Sequence, residues 1–150
     1  MEPAAVLWQS LCQVRSLRFT ARSATQGGWN GIGSGGVAVE VMGTAVCTFT
    51  ETGSWEPLGG KSLRFSNVFR WSILGPEAVR LEHLRFGPDH PVYLFDMTPK
   101  GMAKWISSSP HVCREDCYAA ELEIADRQLC LRWSIVGPKK EETIEYEYGW

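Results

Sequence analysis

The segment from residue 111 to residue 118 brings together side chains that can carry out proton chemistry. His111, Cys113, Asp116 and Tyr118 lie within eight residues of one another. A carboxylate beside a histidine fixes the tautomer of the imidazole and favours proton transfer. The spacing therefore predicts His111, Asp116 and Tyr118 as candidate catalytic residues. His111 or Asp116 would be the general base, and Tyr118 or Tyr93 would donate a hydrogen bond to an oxyanion. The structural alternative is that Asp116 caps a loop by accepting backbone N–H groups.

A second set of polar side chains interrupts rows that are otherwise apolar. Glu51 shares an alternating row with Phe49, and Asn67 falls between Phe65 and Phe69. A polar group on an apolar face costs free energy unless it is paired, so the pattern indicates either an internal hydrogen-bond network or a ligand cavity. The candidate ligand-binding residues, polar and aromatic together, are Phe49, Glu51, Asn67, Phe69, Trp71, His83, Tyr93, Trp133 and Tyr146.

Three familiar motifs fit the chain poorly. Residues 31–36 match G-x-G-x-x-G, but a strand-like alternation follows where a dinucleotide site needs a helix. The cysteines near His111 lack the paired short spacings of a zinc site. No nucleophile elbow surrounds the serines at 107–109. We therefore predict no metal and no cofactor.

Composition excludes several classes of partner. The net charge is -2 and no basic block is present, so a nucleic-acid partner is not expected. No apolar run approaches the roughly 20 residues that a membrane helix needs, and the N-terminus lacks the features of a signal peptide. Five cysteines without a regular framework predict reduced thiols and a cytoplasmic location. The oligomeric state is left open.

The elements that must position these side chains show a period of two. Val37, Val39 and Val41 form one such row, and Leu129, Leu131, Trp133 and Ile135 form another. Successive side chains of a strand point to opposite faces, so this alternation predicts half-buried β-strands. Strands are expected at 14–22 and near 36–43, 44–52, 61–74, 78–86, 91–97, 101–108, 114–125, 128–136 and 142–149.

The links between these strands are short and rich in turn residues, which favours an antiparallel meander. Closing about ten strands into a barrel removes the unpaired edges, so we predict an all-β, closed, up-and-down barrel of about 8–10 strands. A short helix is expected near residues 3–12, and the six glycines of residues 26–36 predict a flexible loop. The whole chain, residues 1–150, is expected to form one domain.

Two further motifs carry a resemblance to a known family. They are His111-x-Cys113-x-x-Asp116-x-Tyr118 and Trp133-x-Ile135-x-Gly137-Pro138-x-Lys140, supported by Phe49-x-Glu51-x-Gly53. Over roughly residues 14–148 the chain resembles a small, largely uncharacterised family of lipocalin-like (calycin) barrels, a domain of unknown function. Asn67 stands where that family has an arginine, and Tyr93 where it has a histidine.

The resemblance implies an antiparallel barrel whose interior holds a small ligand, but no activity. The sequence leaves three interpretations. The first is a barrel that binds a small, largely apolar or aromatic ligand. The second is a cofactor-independent isomerase, cyclase or lyase that uses the His/Asp/Tyr site. The third is a barrel filled by its own side chains that acts as a structural or interaction module.

Overall fold

The computed structural model describes residues 1–25, 30–108, 111–113 and 115–150, the side chains of 111–113 excepted. One helix, α1, spans Pro3–Gln13. The strands are β1 Ser16–Ser23, β2 Gly31–Met42, β3 Val46–Pro57, β4 Leu63–Gly75, β5 Ala78–His83, β6 Val92–Pro99, β7 Lys104–Ser107, β8 His111–Cys113, β9 Asp116–Ala125, β10 Gln128–Val136 and β11 Glu141–Gly149.

Ten of the strands in the described residues form a closed antiparallel barrel. Neighbours in sequence pair with one another from β1 to β7, β7 then pairs with β9, and β9 to β11 follow in order. The ring closes because β1 pairs with both β2 and β11. Strand β8 lies outside the ring and pairs with the start of β9. The predicted fold class, a closed all-β antiparallel barrel with a short N-terminal helix, is confirmed.

Alternation along each strand separates the core from the outer surface. On β3, Cys47, Phe49 and Glu51 are buried, whereas the threonines between them point outwards. On β10, Leu129 and Leu131 are buried and Arg132 is exposed. The inward row of each strand therefore supplies one wall of a common core, as the period of two predicts.

Helix α1 covers one end of the barrel. Its buried side chains include Leu7 and Leu11, and the Ala4 N–H donates to the carbonyl oxygen of Pro76 in the β4–β5 turn. Pro3 occupies the first turn of the helix, where a missing N–H costs nothing. Among the described residues, no helix is long and apolar enough to cross a membrane. We call the end of the barrel that α1 covers the closed end. The opposite end, where β1, β3 and β10 finish, is the open end.

The prediction of a loop at residues 26–36 is wrong for residues 31–36, and residues 26–29 lie outside the described residues. These residues begin β2, and Gly31 to Gly36 pair with β3 in unbroken register. Gly33 lies on the inward face, where a Cβ would collide with the ring of Phe19. Gly35 and Gly53 lie opposite each other, and a Cβ on either would meet the backbone of the partner strand. These glycines therefore allow close approach within a strand.

Candidate functional site

A pocket of about 650 Å³ opens at the end of the barrel opposite α1. We call it the open-end pocket. Aromatic side chains from four strands line it: Phe19 of β1, Trp55 of β3, Phe65 of β4 and Tyr146 of β11. Each lies on the inward row of its strand: Trp55 and Phe65 near the strand ends that face away from α1, and Phe19 and Tyr146 nearer the middle of theirs. The inward-facing residues that form the core therefore continue to the surface and line the pocket.

Phe19 is the centre of the aromatic wall. Its ring stacks on Trp55 with centroids 5.2 Å apart and meets the edge of Phe65 at 5.3 Å. Tyr146 lies 5.3 Å from it on the other side. Ring pairs at these separations add to the stability gained from apolar burial, so the wall is a packed unit. Gly33 permits this arrangement, because any side chain there would occupy the position of the Phe19 ring.

A few polar groups line the same pocket. Asn67 lies on the inward row of β4, half-buried, and Arg64 lies exposed at the rim. Asn30 accepts a hydrogen bond from the Ser23 N–H at 3.0 Å, which joins the start of β2 to the end of β1. A mostly apolar wall with a small number of polar groups is typical of small-molecule sites.

Glu51 lies below this pocket with its side chain fully buried. Its register partner on β4 is Asn67, and the Tyr148 hydroxyl donates to Oε2 of Glu51 at 2.6 Å. The other carboxyl oxygen, Oε1, has no hydrogen-bond partner among the described residues. Tyr148 in turn stacks on Tyr146 with centroids 5.5 Å apart, so the Glu51–Tyr148 pair contacts the floor of the pocket.

Burial determines the charge state of this pair. Loss of solvent raises the pKa of Glu51 to about 8, and the hydrogen bond from Tyr148 only partly opposes the rise. Burial also raises the pKa of both tyrosines, and the negative charge of an ionised Glu51 would raise it further. At neutral pH the favoured state is a neutral carboxylic acid beside two neutral phenols.

Two of the sequence-predicted site residues, Asn67 and Tyr146, line the open-end pocket. Glu51 lies beneath them. Phe49, Phe69 and Trp71 lie deeper, packed in the buried core, where Phe49 contacts the rings of Trp71 and Tyr148.

The two remaining inward-facing candidates, Trp133 and His83, are only partly buried. Trp133 is half-buried and stacks on Tyr146 with centroids 5.9 Å apart. His83 is half-buried near the same end and stacks on Phe69 at 4.7 Å, and burial and the nearby Arg85 lower its pKa. The indole N–H groups of Trp71, Trp105 and Trp133 are buried without a hydrogen-bond partner in the described part of the chain.

Tyr93 lies on the outer face of the barrel, 38% exposed. The register between β5 and β6 shifts by one residue at Leu94, so that Glu82 pairs with Tyr93 while Leu81 pairs with Phe95. Because of this bulge, Tyr93 is exposed although it has the same sequence parity as the buried Phe95 and Met97. The guanidinium of Arg80 lies 5.4 Å from the Tyr93 ring and also forms two hydrogen bonds to Asp96.

The predicted catalytic residues lie on and beside the start of β9. Tyr118 is half-buried against the core, opposite Ile135, and His111 is its backbone partner on β8. Asp116 is 3.8 Å from the ammonium of Lys140. The side chain of His111 is outside the described residues, so its proposed pairing with Asp116 stays a prediction.

The carboxylate of Asp116 also contacts the β10–β11 turn. A Cβ at Gly137 would collide with Oδ1 of Asp116, and the ion pair with Lys140 spans the same turn. The two motifs His111–Tyr118 and Trp133–Lys140 therefore meet at this contact. Neither contact is a backbone N–H bond to the carboxylate, so both interpretations of Asp116 stay predictions.

Sequence reasoning missed Tyr148 and three of the aromatic residues of the pocket, Phe19, Trp55 and Phe65. Tyr148 shares the inward row of Tyr146 on β11, so the alternation contained a signal for its burial. Its pairing with Glu51 joins residues 97 positions apart. Such a contact depends on the tilt and register of strands around the whole barrel.

One family model, described as a family of unknown function (DUF6314), matches residues 17–149. The chain belongs to this family. The expectation of an uncharacterised barrel family is thereby confirmed. No curated protein matches the chain.

The DUF6314 match contains all the strands that line the open-end pocket, as well as Glu51 and Tyr148. Helix α1 precedes the matched residues, although it covers the closed end of the barrel. The candidate site is thus built within the DUF6314 region.

Proposed function

We propose that this barrel binds a small, largely apolar or aromatic ligand in the open-end pocket. The supporting observation is the pocket itself, about 650 Å³ and lined by Phe19, Trp55, Phe65 and Tyr146. Pockets that bury small ligands commonly measure about 300–1,000 Å³ and are lined mainly by apolar and aromatic groups. Asn67, the polar residue between Phe65 and Phe69 on the inward face of β4, supplies a hydrogen-bonding group to orient the ligand.

The two ends of the barrel support this assignment by contrast. At the closed end, Trp71, Trp105 and Leu129 are almost completely buried, and buried side chains of α1 belong to the same core cluster. A barrel serving only as a structural module would be filled in this way along its whole length. The open half instead exposes its aromatic row to a cavity, which favours the ligand-binding interpretation over the filled-barrel one.

A substitution that fills the pocket tests the proposal. Ile144 lines the pocket on β11, and its neighbour Glu145 points outwards, 50% exposed. We expect Ile144→Trp to weaken binding of N-phenyl-1-naphthylamine, a neutral aromatic probe, at least about tenfold, because the larger side chain occupies the ligand volume. The matched variant Glu145→Trp adds the same side chain outside and should bind like the wild type. Probe fluorescence is the readout.

The contradicting result is equally specific. If the probe does not bind the wild-type protein, or if Ile144→Trp and Glu145→Trp bind it equally well, the pocket is not its site. Thermal unfolding followed by circular dichroism checks that both variants are folded.

One observation favours a second candidate, a cofactor-independent enzyme. A buried carboxyl whose pKa is raised to about 8 is the kind of group that serves as a general acid near neutral pH. In that proposal Glu51 would donate the proton, rather than Asp116, which contacts Lys140. Cofactor-independent isomerase, cyclase or lyase chemistry remains the proposed class. Turnover that is lost in Glu51→Gln and retained in Asp116→Asn would support it.

A further inference from the structure

Glu51 occupies an unusual position relative to the open-end pocket. Its register partner on β4, Asn67, lines the cavity, so Glu51 lies directly beside a pocket residue. On its own strand the next inward residue is Gly53, and the one after that is Trp55, which lines the pocket. Gly53 adds no side chain to this inward row, and the β2 backbone at Gly35 packs against it. From β11, Tyr146 stacks on Tyr148 and also lines the pocket.

Only one of the two carboxyl oxygens of Glu51 has a hydrogen-bond partner among the described residues. Oε2 accepts the Tyr148 hydroxyl, whereas Oε1 has no partner in the part of the chain that the structure describes. In the neutral acid Oε2 is occupied as an acceptor, so the carboxyl proton belongs on Oε1. A buried O–H donor without an acceptor loses stability relative to one that is paired. A ligand atom that accepts this hydrogen bond would recover that loss.

From this geometry we infer that Glu51 is the deep polar contact of the pocket and donates a hydrogen bond from Oε1 to an uncharged acceptor, such as a carbonyl oxygen, at the inserted end of the ligand. The inference rests on the proposed function and specifies its ligand class. The ligand would be an apolar or aromatic body that carries a neutral acceptor at one end. A carboxylate at that end would be disfavoured, because the cation lining the pocket, Arg64, lies at the exposed rim.

The groups that face Glu51 are consistent with a neutral donor. Its ladder neighbours, Val37 and Asn67, do not titrate. From β11, Tyr146 and Tyr148 face it, and both are neutral because burial raises the pKa of each. Cys47, on the same row of β3, is kept as a thiol by burial, which raises its pKa to about 12. No charged side chain among these compensates an ionised Glu51, so the carboxyl retains its proton below about pH 8.

Three naphthalenes of similar size test the inference. They are 2-acetylnaphthalene, which carries a carbonyl acceptor, 2-ethylnaphthalene, which carries none, and 2-naphthoate, which carries a charge. We expect the wild-type protein at pH 6.5 to bind the ketone about tenfold more tightly than either analogue, the increment of one good hydrogen bond. The carbonyl stretch of ketone labelled with ¹³C at the carbonyl should move to lower frequency on binding.

Two variants separate the donor from the cavity. Glu51→Gln keeps an N–H donor and an acceptor for Tyr148, so it should retain the preference for the ketone and lose its pH dependence. The double variant Glu51→Met/Tyr148→Phe removes both O–H donors and should bind the ketone and the hydrocarbon equally. In the wild type, the preference for the ketone should disappear as the pH rises through about 8, the point at which Glu51 ionises.

The outcomes are distinguishable from failure of the proposed function. If the wild type binds ketone and hydrocarbon equally, or if the double variant keeps both the preference and the shifted carbonyl stretch, the inference is wrong and the apolar binding site stands. If none of the three naphthalenes binds the wild type, the proposed function fails and the inference fails with it. Unfolding curves for each variant confirm that the barrel is intact.

Discussion

At the scale of single residues, Glu51 has the most consequential environment in the barrel. Its carboxyl is completely buried, has one hydrogen bond to Tyr148 and has one oxygen without a described partner. A buried polar group costs stability unless it is fully hydrogen-bonded. The cost depends on pH, because only the ionised form is strongly penalised.

Glu51 should make the protein less stable as the pH rises. Its pKa is about 8 in the folded chain and 4.5 as an exposed group, so the folded state binds the extra proton between these values. The stabilisation is complete below about pH 4.5 and is lost as the pH rises through 8. The slope approaches about 1.4 kcal/mol per pH unit within this range.

The measurement is the free energy of unfolding by urea at a series of pH values, for the wild type and for Glu51→Gln. Taking the difference between the two proteins removes the contribution of other groups, such as His83. We expect the wild type to lose stability relative to Glu51→Gln between pH 5 and pH 8. Parallel pH profiles would show that Glu51 ionises freely in the folded state.

Residue types alone were sufficient to single out some of these groups. Glu51 and Asn67 were predicted as site residues because each is polar in an apolar row. The structure places them side by side on β3 and β4. Tyr148 could not be paired with Glu51 from the sequence, because that contact crosses the barrel. Tyr93 illustrates the limit of parity arguments, since one bulge residue at Leu94 places its ring outside.

At the scale of elements, the glycine-rich start of β2 shows why composition misled the prediction of a loop. Glycine lowers strand propensity because it adds no packing and costs entropy, so a run of glycines reads as flexible chain. In this barrel the missing side chains make room instead. The ring of Phe19 occupies the space above Gly33, and Gly35 and Gly53 permit two backbones to approach.

Gly33 and Gly36 form a matched pair for testing this explanation. A methyl group at Gly33 would collide with the Phe19 ring, so Gly33→Ala should lower the free energy of unfolding by about 1–3 kcal/mol, the usual cost of overpacking. At Gly36 a Cβ would meet only the Arg15 carbonyl oxygen, at 4.0 Å. Gly36→Ala should therefore change the free energy by less than about 0.5 kcal/mol.

Urea unfolding of both variants provides the comparison, and binding of N-phenyl-1-naphthylamine shows whether movement of Phe19 alters the pocket. Equal stability of Gly33→Ala and Gly36→Ala would mean that Phe19 can leave its position at no cost. In that case the aromatic wall would not be the fixed unit that the structure indicates.

At the scale of the whole molecule, the barrel is divided into a filled half and an open half. The alternation and the turn-rich links were enough to predict closure, because the predicted strands shared a period of two and closure satisfies all the strand edges. The division was not predictable. It depends on which inward positions come to lie near α1, and strand register decides that only after the ring has closed.

We therefore expect a ligand to enter the open half of the barrel and to leave the closed half unchanged. The tryptophans report on both halves in a single experiment, since Trp55 lines the pocket while Trp71 and Trp105 are buried towards the closed end. Each has an indole N–H that gives its own signal in a ¹H–¹⁵N NMR spectrum.

Titration of ¹⁵N-labelled protein with 2-acetylnaphthalene is the most direct test. We expect the indole signal of Trp55 to shift progressively to saturation, with a smaller shift for Trp133 because it stacks on Tyr146, while the signals of Trp71 and Trp105 stay in place. Saturable shifts at Trp71 or Trp105 with no change at Trp55 would contradict the claim.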